Sequence, residues 1–160
     1  MSIDAFVQYD WCASRICRVS QPAVSYDAGL GIAAEAFVQK LKDLGFNNVA
    51  TWADEATGVH SKNPETDAIR NTDQVAESDY VITRCFLRDP KRGHWGSIAV
   101  VSYALGAGIP CVIIAEKECC IWSNHMMRHP NILAFYNEAD FFVWAAQKSG
   151  KRLKVATETV

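Results

Sequence analysis

The chain has 160 residues, 49% of them hydrophobic, enough for one domain with a sizeable core and too little for two. A formal net charge of -2 gives no general attraction to nucleic acid or to a membrane surface. No stretch has the length and apolarity of a membrane span, and Met-Ser-Ile-Asp-Ala-Phe carries no basic segment ahead of an apolar run, so a soluble, cytoplasmic protein is expected.

Ile3 to Tyr9 is apolar and aromatic and reads as a first strand, ending at Tyr9, Asp10 and Trp11. Cys12 to Leu30 has no clear period. With Pro22, Gly29 and several Ser residues it reads as a long loop of the binding type, its Arg15, Arg18 and Asp27 facing either a ligand or solvent. A helix is expected from about Gly31 to Leu44, with Ala33, Phe37, Leu41 and Leu44 on one stripe, Glu35 on the surface and Gly45 as its stop. Asn48 to Trp52 reads as a short second strand. After a polar connection, Glu65 to Glu77 reads as a second helix that turns Ile69, Thr72, Val75 and Ala76 to the sheet.

The most legible stretch runs from Asp79 to Ala115. Tyr80 to Leu87 and Cys111 to Ala115 are short, β-rich apolar runs, suited to strands buried on both faces. Between them Ile98, Val101, Ala104 and Leu105 share a helical face, and Gly106, Gly108 and Pro110 end it. Strand, helix and strand of these lengths imply parallel strands joined by a right-handed crossover. Glu116 to Pro130 is irregular, with Trp122, Met126 and Met127 as a hint of burial against a loop or a second copy, hence of a homo-oligomer. Asn131 to Phe135 reads as a fifth strand and Asn137 to Ser149 as a last helix. Residues 1–150 then form a single domain and 151–160 a mobile tail. The expected fold is α/β: a three-layer, doubly wound, five-stranded parallel sheet in flavodoxin-like order.

In such sheets ligands bind beyond the carboxyl ends of the strands, which directs attention to residues 88–96. Gly93 and Gly96 permit close backbone approach, Ser97 is a suitable N-cap, and the first amides of the helix offer donors with partial positive charge. Arg84, Arg88, Lys91, Arg92 and His94 add cationic groups. The residues support either a site for a phosphate or carboxylate, or a capped helix start behind a solvated basic loop. The candidate binding set is Tyr9, Asp10, Trp11, Arg88, Arg92, His94, Gly96 and Ser97.

Six cysteines without a Cys-x-x-Cys pair fit a reducing compartment better than a disulfide framework. Cys119, Cys120, His125 and His129 form the one metal-like cluster, but their spacing lacks a zinc-site signature, and neither a metal nor a cofactor is expected.

Ser78-Asp-Tyr-Val-Ile, Gly96-Ser97, Ser102-Tyr-Ala-Leu-Gly-Ala-Gly-Ile-Pro, Glu118 and His129-Pro-Asn-Ile-Leu-Ala-Phe together resemble the nucleoside 2-deoxyribosyltransferase-like family over roughly the second half of the chain. The resemblance implies cleavage or transfer at the N-glycosidic bond of a nucleoside or nucleotide. In that family an Asp-x-Gly-Thr segment leads into a helix, and a Glu three residues later attacks the anomeric carbon, forming a glycosyl-enzyme intermediate. Here Gly96 and Ser97 match the Gly and Thr, His94 stands at the Asp position, and Val100 stands at the Glu position. Valine has no lone pair and also cannot complete a Ser-x-x-Glu capping box. Tyr9 matches a Tyr that orients the nucleophile in the family, and Asp79 matches an Asp expected to be structural.

Asp4-Ala-Phe-Val-Gln-Tyr, Leu41-Lys-Asp-Leu-Gly-Phe, Ser78-Asp-Tyr-Val-Ile and His94-Trp95 also resemble the Toll/interleukin-receptor domain, whose enzymatic members cleave NAD at its N-glycosidic bond. Its Glu too is missing, Ala99 and Val100 lying in that region. The first resemblance is the better one, because it continues through the Gly-Ile-Pro and His-Pro-Asn-Ile segments.

Three functions follow. One is a nucleoside- or nucleotide-binding protein without the usual nucleophile. A second is an active N-glycosidase or transferase using a displaced acid, with Asp10 and Asp89 nearest the expected edge among Asp10, Asp27, Glu35, Asp73 and Asp89. A third is an oligomeric interaction module that keeps only the fold.

Overall fold

β-Branched and aromatic residues crowd the segments between glycine- and proline-marked turns, and these segments pair as strands. A computed structural model describes residues 16–20, 28–48, 64–85 and 95–149. The elements are β1 (Ile16–Ser20), α1 (Ala28–Asp43), β2 (Asn47–Asn48), α2 (Pro64–Ala76), β3 (Tyr80–Arg84), α3 (Trp95–Gly106), β4 (Cys111–Ile114), β5 (Ile132–Phe135) and α4 (Glu138–Ser149). Two 3-10 turns, Cys120–Ser123 and His125–Arg128, lie between β4 and β5. The strands pair in parallel in the order β2-β1-β3-β4-β5.

The expected first strand, Ile3 to Tyr9, and the tail 151–160 lie outside the described residues. The observed β1 occupies Ile16–Ser20, inside the stretch expected to be loop. That expectation failed because Ile-Cys-Arg-Val-Ser is too short to show a period and carries an arginine in its middle; pairing with β2 and β3 imposes the strand. Asn47–Asn48 is likewise a strand by pairing with β1, not by propensity.

The alternation of β3 divides the core. Tyr80 and Ile82 pack with Phe37, Val38, Leu41, Phe46, Val112, Ile114, Phe141 and Ala145, beneath α1 and α4. Val81 and Cys85 pack with Val75, Val101, Ala104, Leu105, Cys111, Ile113, Ile121 and Met127, beneath α2, α3 and the 3-10 turns. All five residues of β3 and all four of β4 are buried, as central strands of a two-sided sheet are, although β3 ends in Thr83 and Arg84. Each fully buried Leu, Ile or Phe contributes ~1.5–3 kcal/mol to this arrangement.

Helix α2 is rotated from its expected setting. Val75 is buried, but Ile69 is 61% exposed, and Thr72 and Ala76 are also exposed. At 100° per residue Ile69 lies on an arc far from Val75, and the buried arc is instead shared with Gln74 and Ser78, whose hydroxyl donates to Gln74 C=O at 2.6 Å. Pro64 opens this helix, where a missing N–H costs nothing.

Two helices end by one device. Gly45 has φ 88° and Gly108 φ 75°, a left-handed turn that a residue with a Cβ adopts at a cost. Phe46 N–H then donates to Leu41 C=O at 3.0 Å and Ile109 N–H to Ala104 C=O at 2.8 Å, closing each helix onto its next strand. At the start of α4, Asn137 Oδ1 accepts from Asp140 N–H at 2.8 Å, an N-cap.

Candidate functional site

Because every strand runs the same way, Ser20, Arg84, Ile114 and Phe135 finish along one edge of the sheet. The chain order changes direction between β1 and β3, and the crevice outside those two carboxyl ends is where an open α/β sheet takes a ligand. Ser20 is in register with Thr83, one residue before the end of β3.

The odd- and even-numbered residues at the end of β3 go to different places. Thr83, on the side of α3, is fully buried, and its Oγ1 has no hydrogen-bond partner among the described residues. Ser97 on α3 is 2% exposed and its Oγ is also unpartnered there. The Cys85 thiol is its neighbour, but sulfur is too weak a partner to satisfy it. Burial pushes the Cys85 thiol well above its ordinary value, Cys119 and Cys120 push the same way, and the Ser97 hydroxyl opposes them. Such a thiol stays protonated and is a poor nucleophile. Burial likewise raises Cys119, while Cys120 is exposed.

Ser97 was expected to cap the helix. It does not: α3 begins at Trp95, which puts Ser97 third in the helix with its side chain turned into the protein. Gly96 is exposed, and a Cβ built on it would meet nothing within 4 Å. The helix packing does not require that glycine, so open space stands beside the first turn.

Val100 is half-buried and packs against the core beneath α2 and α3, on the flank of the arc formed by Ser97, Val101 and Ala104. Its surroundings are those of a core side chain.

Arg84 leaves the expected cationic set. It is 4% exposed on the opposite face of the sheet, where Nε donates to Glu138 Oε1 at 3.0 Å, Nη2 donates to the same oxygen, and the guanidinium lies 4.3 Å from the Phe37 ring centroid. Burial holds its pKa below the ordinary value, and the Glu138 charge and hydrogen bond work against that shift. Glu138, in the first turn of α4, had no role in the sequence reading; its placement after an Asn cap at the end of β5 was the available signal.

Tyr9, Asp10, Trp11, Arg88, Asp89, Arg92 and His94 lie outside the described residues, as do Arg15, Asp27, Lys91 and Gly93. Of the residues expected at the site, Gly96 and Ser97 are described and stand together at the start of α3. The Cys119, Cys120, His125 and His129 cluster does not assemble. Cys119 is buried, Cys120 and His125 are exposed, and His129 Nδ1 accepts from Asn131 N–H at 3.0 Å. Among the described residues no group of three or more His, Cys, Asp or Glu side chains is placed to hold a metal ion. Nor is any helix among them long and apolar enough to cross a membrane.

A second hollow, of about 550 Å3, lies away from this crevice along β5, where Lys117, Trp122, Arg128, His129 and Tyr136 meet. Trp122 Nε1 is tied to the C=O groups of Ala115 and Glu116 at 3.3 and 3.0 Å, and its ring meets Tyr136 edge to face at 5.9 Å. The expectation for residues 116–130 covered their burial but not this cavity.

No protein-family model matches the chain, and no curated protein does. Among solved structures it is similar to a CMP N-glycosidase, BcmB, from Clostridium botulinum, with a TM-score of 0.52 and 17% sequence identity over 79% of this chain and 95% of that one. At that identity the likeness is one of fold, and the fold is an α/β parallel sheet shared with a nucleotide N-glycosidase.

Proposed function

We propose that the protein binds a nucleoside or nucleotide at the carboxyl edge of a flavodoxin-like sheet and lacks the carboxylate nucleophile of the nucleoside 2-deoxyribosyltransferase-like family it resembles. One observation carries the reading: on a fold shared with a CMP N-glycosidase, the position where the resemblance puts the attacking Glu holds Val100, packed against the core. An alkyl side chain can line a sugar or base but cannot form a glycosyl ester.

The open space at Gly96 suits recognition at this edge, while the Thr83 and Ser97 hydroxyls, unpartnered among the described residues, are buried. The first amides of α3 and the basic residues Arg88, Arg92 and His94 favour a phosphorylated ligand. Tyr9, Asp10 and Trp11 were expected at this edge as the end of a first strand; with β1 at Ile16–Ser20 they precede it in the chain, so the reading does not rest on them.

Thermal unfolding with cytidine, CMP and NAD, together with chromatography for released base, tests the proposal. CMP is expected to raise Tm more than cytidine does, without release of cytosine, and Val100→Glu is expected to bring release. Absence of any ligand response from the wild type would end the binding reading.

The likeness to a working N-glycosidase supports a second reading, in which a displaced acid acts. It requires base release by the wild type and its loss in Asp10→Asn or Asp89→Asn. Release that survives both substitutions would exclude these two acids.

A further inference from the structure

Among the described residues strand β5 ends the sheet, and its backbone groups alternate between β4 and the outside. Cys111 N–H donates to Asn131 C=O at 3.0 Å and Ala115 N–H to Phe135 C=O at 2.9 Å, so odd-numbered residues turn their backbone toward β4. Ile132, Ala134 and Tyr136 therefore turn theirs outward. His129 C=O takes the Ile132 N–H at 2.9 Å. The Ile132 C=O, both groups of Ala134 and the Tyr136 N–H have no partner among the described residues.

The same three residues line the hollow of about 550 Å3, so unpaired backbone and available volume coincide. Lys117, Arg128 and His129 stand around it, none of its lining residues is acidic, and none of the three is in an ion pair among the described residues. Arg128 is fixed there by its Nε, which donates to Trp122 C=O at 3.1 Å, and Lys117 Nζ lies 5.2 Å from the Tyr136 ring centroid. In a chain of net charge -2, Lys117 and Arg128 supply the local positive charge, and His129, its Nδ1 accepting from Asn131 N–H, has Nε2 left to donate.

We propose that the β5 edge is a docking surface for an extended acidic peptide segment, which adds to the sheet as a further strand and sets alternate side chains into the hollow. Main-chain hydrogen bonds supply the attachment and the alternate side chains the selectivity. A partner of about four residues matches β5, at ~3.3 Å per residue. Carboxylates of the peptide meet Lys117 and Arg128, and His129 offers a further N–H. A second copy fits worse: pairing two β5 edges would bring together two hollows that each carry Lys117 and Arg128 and no acidic lining residue, cation against cation.

The test uses the full chain and a fluorescein-labelled Glu-Val-Glu-Val-Glu-Val peptide, its Lys-for-Glu counterpart, an acidic version N-methylated at alternate amides, and inorganic pyrophosphate. The acidic peptide is expected to bind, to slow hydrogen exchange at the Ala134 and Tyr136 amides, and to bind about tenfold or more better than its N-methylated version. Ala134→Pro removes an outward N–H without breaking a ladder bond, since proline is tolerated on a free edge, and is expected to weaken binding about tenfold, as is Arg128→Glu. If Ala134→Pro does not fold, the N-methylated peptide against wild type decides the same point. The proposal is overturned if the acidic peptide fails to bind at millimolar concentration. It is equally overturned if N-methylated peptide or pyrophosphate binds as tightly, which marks a plain anion site. A dimer that Ala134→Pro dissociates would assign the edge to a second copy and overturn it too.

Discussion

Glu138→Gln should destabilise the protein more than Arg84→Met, although Arg84 is the more buried of the two. The Arg84 side chain is 5% exposed and that of Glu138 41% exposed, and the contact includes an Nε to Oε1 distance of 3.0 Å. Two unit charges at that separation attract by ~5 kcal/mol at an effective dielectric of 20 and by ~1.4 kcal/mol in water. The exposure of Glu138 draws the value toward the lower figure. Glutamine keeps an acceptor but removes the charge, leaving a guanidinium on Phe37 without this carboxylate, at an expected cost of ~2 kcal/mol. Methionine instead keeps the apolar stem and frees Glu138 to hydrate, so the expected cost is ~1 kcal/mol, mainly the lost cation–π contact. The double variant should then resemble Arg84→Met alone. Urea unfolding with a common m-value measures all three. A larger loss for Arg84→Met than for Glu138→Gln, or costs that simply add in the double variant, would refute this account of the pair.

Gly108→Ala should cost ~1–2 kcal/mol, because φ is 75° there and a Cβ meets no atom within 4 Å, so the cost is purely conformational. Gly96→Ala, inside α3 and equally uncrowded, should raise stability by ~0.5–1 kcal/mol in the same melts, while any loss of its CMP response would mark close approach by the ligand. Burial pushes the Cys111 thiol up to about 12 from 9.0. The folded state thus holds its proton longer than the unfolded chain, and the stabilisation present below pH 9.0 is lost between there and about 12, by at most ~1.4 kcal/mol per pH unit. The stability difference between wild type and Cys111→Ala should therefore shrink over that window; a difference independent of pH would contradict the assignment. Arg92→Ala should weaken CMP by ~1.5–3 kcal/mol and leave cytidine nearly unchanged, measured by calorimetric titration.

Much of the right-hand half of the sheet was legible because its signals are local. Tyr80–Ile82 and Cys111–Ile114 are apolar runs rich in β-formers, and Gly45 and Gly108 sit where left-handed turns are needed. The determinants of β1, of the phase of α2 and of the Ser97 position are not local. β1 is a strand because β2 and β3 flank it, and neither alternation nor propensity in Ile-Cys-Arg-Val-Ser announces that. Ile69 misled the phase of α2, since one large apolar residue fixes a stripe only when its neighbours agree, and Gln74 and Ser78 took the buried arc by hydrogen bonding. At the site, Ser97 read as a cap because serine before an apolar run usually is one; starting α3 at Trp95, three residues before Ile98, converts it into a buried hydroxyl. The pairing of Arg84 with Glu138 spans most of two crossover units and leaves no trace in spacing.

The two left-handed glycines have a consequence for how such a protein changes over time. Helices return to the sheet through the tight turns at 44–46 and 107–110, whereas β1, β2 and β3 finish at Ser20, Asn48 and Arg84 on the opposite rim. Insertions or rewritten residues on that rim can retarget recognition while folding proceeds undisturbed, but a single added residue beside Gly45 or Gly108 would throw the following strand out of register.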